Sequence, residues 1–91
     1  MNERLARIRA TVQELEQELR ELDSLDPTAR LMLQGVAREI HAVLGDRDLP
    51  PAAHRTLHQR LQDAAHSFES SHPALAGVLE RVVDALAQLG I

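Results

Sequence analysis

The chain contains no cysteine, lysine, tryptophan or tyrosine, and Phe68 is its only aromatic residue. Without thiols there can be no disulfides, thiolate metal sites or cysteine redox chemistry. Without other aromatics, a core must be assembled from Leu, Val, Ile, Met and Ala. Such a core suits helix-on-helix packing better than strands, which favour aromatic and β-branched residues. The ten basic residues are all arginine, a bias of composition rather than a selected bidentate role, which would require specific partners. No apolar run approaches the roughly twenty residues needed to cross a bilayer. The opening Met1-Asn2-Glu3-Arg4-Leu5 lacks the apolar centre of a signal peptide, so a cytoplasmic protein without membrane contact is expected. A net charge of −4 argues against nucleic acid as a partner, since such binders carry a basic patch or stripe. No Gly-rich phosphate loop, catalytic carboxylate pair or nucleotide motif is present, so neither an enzyme nor a cofactor is expected.

What is present is helical periodicity. At 91 residues the chain fits one small domain with a single core. Leu5, Ile8, Val12, Leu15, Leu19 and Leu22 alternate at spacings of three and four, a heptad a/d pattern that predicts an N-terminal helix with a narrow apolar seam. Asp26-Pro27 then marks a helix start, with Asp as N-cap and Pro at the first position, where its missing N–H costs nothing. The second helix should run from Pro27 to Leu44, with Met32, Leu33, Val36, Ile40, Val43 and Leu44 on its apolar side and Gly45 as its stop. Gly35 sits inside it at a cost of about 1 kcal/mol relative to Ala. Close approach of a neighbouring helix is the expected compensation.

Asp46 to Pro51 reads as a linker, because two adjacent prolines favour extended backbone. A third helix is expected over Ala52–Glu69, with a thin stripe of Leu57, Leu61, Ala64 and Phe68. His72-Pro73 opens a fourth helix, with Leu75, Val78, Leu79, Val82, Val83, Leu86 and Leu89 forming a broad apolar face that should sit centrally. Gly90 is placed to end it in a left-handed turn, folding Ile91 back onto Leu86. The expected fold is therefore all-α, one domain over residues 1–91: two helical hairpins, 1–45 and 52–91, joined by the linker 46–51.

Phe68-Glu69, Ser71-His72-Pro73, Leu75-Ala76, Leu79, Asp84, Leu86 and Gly90-Ile91 together resemble the C-terminal signature of the DUF4404 family, small bacterial proteins known as a domain of unknown function. The N-terminal Leu/Glu-rich helix matches more loosely. The resemblance implies a compact all-helical protein and carries over no catalytic or binding residue.

The charge order of the first helix is reversed with respect to its dipole. Arg4, Arg7 and Arg9 lie at its start, and Glu14, Glu16, Glu18, Glu21 and Asp23 in its second half. An antiparallel neighbour would offset this. In a homodimer of two first helices, Arg9 would meet Glu16 and Arg4 would meet Glu18 across the seam. That yields the functional expectation: a non-enzymatic module for self-association or protein interaction, an antiparallel dimer through Leu5, Ile8, Val12, Leu15, Leu19 and Leu22. The alternative is a metal-binding or ligand-sensing module, because His54 and His58 stand at i and i+4, the spacing that lets two imidazoles share an ion. Neither His66 nor Asp63 falls at an interval that completes three ligands. Ser71 and His72 are adjacent, which leaves no room for nucleophile geometry with a third orienting group, so His72 is read as a cap of the fourth helix.

Overall fold

The computed structural model describes residues 3–45 and 51–90, with only the backbone described at 51–54. Within them the chain forms four α-helices: α1, Glu3–Glu21; α2, Pro27–Gly45; α3, Pro51–Phe68; and α4, Pro73–Gln88. Among the described residues there is no strand, and no helix is long and apolar enough to cross a membrane. The expected linker falls mostly at 46–50, outside the described residues, and Pro51 already belongs to α3.

Proline stands first in α2, α3 and α4. Its fixed φ presets the first turn, and its lack of an N–H removes a donor that would have no intrahelical partner. The residues ahead of two of these prolines behave differently. Asp26 caps α2 as expected, its Oδ2 accepting from the Ala29 N–H at 3.2 Å. His72 occupies the N-cap of α4, but its side chain makes no capping hydrogen bond. Its ring instead packs at a tilt against Phe68, with centroids 5.9 Å apart. The expectation of a capping imidazole is corrected accordingly: a bulky ring beside an aromatic gains more from contact than from reaching the helix end. At the other end of α4, Gly90 takes the expected left-handed conformation, φ 81°, and its N–H bonds to the Ala87 carbonyl. The fold-back of Ile91 lies outside the described residues.

Each helix touches two others, in the cyclic order α1–α2–α3–α4. Polar bridges set the directions. Arg4 Nη1 donates to the Gln88 carbonyl, placing the start of α1 at the end of α4, and Glu14 pairs with Arg81 at 2.9 Å further along. Glu16 meets His41 across α1 and α2, and Glu39 meets Arg60 across α2 and α3. Neighbours are antiparallel wherever these pairs register them. The pairs themselves are half-exposed and worth only about 0.2–1 kcal/mol each, so they record the geometry more than they cause it.

Burial is the cause. α4 contributes Leu75, Ala76, Val78, Leu79, Val82, Val83, Ala85 and Leu86 to the interior, half of its sixteen residues, and it packs on both α1 and α3. At about 1.5–3 kcal/mol for each fully buried large aliphatic side chain, this helix is the largest single source of the core. Leu25, in the turn between α1 and α2, closes one end of that core at 4% exposure.

Candidate interaction surface

The heptad seam of α1 does not reach the surface. Ile8, Val12 and Leu15 are 0% exposed and Leu19 is 1% exposed, while Leu5 and Leu22 pack against the core's margin. Their partners are α4 and α2 of the same chain. Within the single chain, then, the seam expected to join two copies is covered by the chain's own helices. A narrow a/d stripe asks for one or two helical neighbours, and this fold supplies both within one molecule, with Leu5 and Leu22 left partly buried at the ends of the seam.

The charges flanking the seam follow the same logic. Arg4 turns to the Gln88 carbonyl at 3.3 Å and Arg7 to the Gln88 Oε1 at 3.4 Å, so the basic start of α1 sits against the negative end of the α4 dipole. Glu16 binds His41 Nε2 at 3.0 Å. Arg9 is exposed and Glu18 half-buried. Within the chain, the antiparallel neighbour beside the basic start of α1 is α4.

Among the described side chains the histidines are not brought together. His58 is partly exposed on α3, and the side chain of His54 lies outside the described ones. His66 lies near Glu69 at 3.7 Å. Among the described residues no group of three or more His, Cys, Asp or Glu side chains could hold a metal ion.

One helix presents apolar side chains outward. Leu31 is 67% exposed and Met32 45% exposed, both on α2. Met32, expected inside, lies outside, whereas Ala37, not among the expected core residues, is buried at 3% exposure. Leu31 could have been singled out from the sequence: it stands two residues from Leu33, about 160° around the helix, so the two cannot face the same core. Gly35 lies one turn further along. A Cβ built there meets only Arg38 Nη2, at 3.9 Å, so no neighbouring helix approaches it. The expected close contact at Gly35 is absent from the monomer, and the glycine leaves α2 low-profile beside Leu31 and Met32.

Among the described residues, shallow clefts follow the α1–α2 and α3–α4 grooves. The α1–α2 cleft is floored by Leu19 and Ala37 and edged by Arg20, Arg38 and the Glu16–His41 pair. The α3–α4 cleft is floored by Ala65 and Val83 and edged by His66, Glu69, Glu80 and Asp84.

Comparison with known proteins gives a family and no activity. A family model described as a domain of unknown function, DUF4404, matches residues 8–91. No curated protein and no solved structure matches the chain.

Proposed function

For a chain that belongs to the DUF4404 family, a domain of unknown function, we propose a non-enzymatic protein-interaction module that docks other proteins on the outer side of α2. The observation that carries this reading is the exposure of Leu31 and Met32 as neighbours on a helix whose remaining large aliphatics are inside. Isolated surface leucines are ordinary, but two adjacent large apolar side chains next to an unfilled glycine form a patch that a partner helix can cover. Both side chains can be lost without touching the core, so their apolar character serves no folding purpose that the packing reveals.

The test is affinity capture from the source cell with the parent chain and with Leu31→Ser/Met32→Ser, each checked for unchanged helicity. A partner held by the parent and lost by the double variant is the expected result. Recovery of the same proteins by both would remove α2 from the docking surface.

A further inference from the structure

The two clefts differ in sign. In the α1–α2 cleft two arginines, Arg20 and Arg38, face one carboxylate, Glu16, which His41 already engages. In the α3–α4 cleft three carboxylates, Glu69, Glu80 and Asp84, face no arginine. Because the helices run α1–α2–α3–α4 around the core, these grooves lie on opposite sides of the bundle. Arg20 and Arg38 have no ion-pair partner among the described residues, and neither do Glu80 and Asp84. All four side chains are exposed.

We infer that copies of this chain associate face to back, the basic α1–α2 side of one against the acidic α3–α4 side of the next. This rests on the reading of α2 as the docking element and names its occupant as a second copy. The charges select that arrangement over a two-fold dimer. A two-fold axis places each patch on itself, and the α3–α4 side would then stack six carboxylates, whereas the face-to-back contact meets each sign with its opposite. Leu31, seven residues before Arg38, lies on the same side of α2 and supplies an apolar anchor beside the ionic contacts.

A contact between opposite sides cannot close at two copies, so association continues beyond the dimer. It is also weak. Its ion pairs are exposed, and such pairs contribute little each. Exposed charges at its edge make it sensitive to salt, since the Debye length shrinks from about 30 Å at 0.01 M to about 3 Å at 1 M.

Sedimentation of the purified chain over a concentration series reaching ~1 mM, at ~0.01 M and ~1 M salt, tests the inference. At low salt the weight-average mass should climb past twice the monomer mass, and at high salt it should return to the monomer's. Arg20→Glu/Arg38→Glu and Glu80→Arg/Asp84→Arg should each stay monomeric with parental helicity, and their equimolar mixture should regain association. Glu18→Arg/Glu21→Arg, of the same net charge as the second variant but with both cleft rims intact, should assemble on its own like the parent. A chain that stays monomeric throughout, or cleft variants that assemble like the parent, or a mixture that stays monomeric, overturns the inference. If the purified chain is monomeric while cellular capture still depends on Leu31 and Met32, only the second-copy occupant falls. If the mixture assembles but Leu31→Ser/Met32→Ser changes neither mass nor capture, the apolar docking reading falls instead.

Discussion

The guanidinium of Arg30, on the first turn of α2, donates to the carbonyl oxygen of Leu19 near the end of α1, and its second terminal nitrogen reaches the Leu22 carbonyl. The Leu19 carbonyl is one of those a helix C-terminus leaves without an intrahelical N–H partner, and the Leu22 carbonyl, just past the helix, also accepts from the Leu25 N–H at 3.4 Å. A positive charge at the start of α2 is unfavourable for its own dipole but favourable for the end of α1, and here the second effect governs because the group is partly buried against α1.

Replacing Arg30 by Ala should therefore destabilise the protein by about 1.5–3 kcal/mol, the range for hydrogen bonds from a charged donor. Arg30→Lys should recover only part of this, since an ammonium lacks the planar fork that reaches two carbonyls together. Denaturant melts of the three proteins measure the difference. A parental midpoint for Arg30→Ala would show that water satisfies these carbonyls equally well.

The seam residues offer a second check. Leu15 is fully buried, so Leu15→Ala should cost about 2–5 kcal/mol through lost transfer energy and a residual cavity. Val12→Glu/Leu15→Glu should unfold the chain, because it places two carboxylates in an apolar interior. Circular dichroism separates this from a surface seam, for which the same double variant would keep its helicity.

Glycines at three positions should respond with opposite signs. Gly35 and Gly77 lie inside α2 and α4, and a Cβ at either meets nothing closer than 3.9 Å. Alanine at each should stabilise by up to about 1 kcal/mol, the helix-propensity difference. Thermal melts should show a rise of about 4–8 °C per kcal/mol for a domain of this size.

Gly90 has φ 81°, where an L side chain crowds its own backbone. Gly90→Ala should thus destabilise by about 1–2 kcal/mol, and deleting Gly90-Ile91 should do so by at least as much. If Gly90→Ala melts with the parent, the end of α4 does not depend on this turn.

The four helices were legible in the sequence because their signals are local. Asp26-Pro27 and His72-Pro73 mark starts, Gly45 and Gly90 mark stops, and apolar spacings of three and four set the faces. Arg30 was not legible, since a mid-sequence arginine reads as solvated until the fold sets it eight and eleven residues back, against the end of α1. Met32 was misplaced because it adjoins Leu33 at the edge of an apolar stripe, and only the positions of α1 and α3 decide where the buried arc of α2 ends.

By itself the sequence determined that Val12, Leu15 and Leu19 form an apolar stripe that needs helical neighbours, and its reversed charge order favoured an antiparallel one. It did not contain whose helices those are. Periodicity records the shape of the partner a helix needs, and a helix of the same chain or of another copy meets that need with the same side-chain chemistry. The tertiary structure decided for α4 and α2, because they are tethered to α1 and bring large apolar faces of their own. With the seam filled from within, the large apolar side chains left exposed among the described residues are on α2, at Leu31 and Met32.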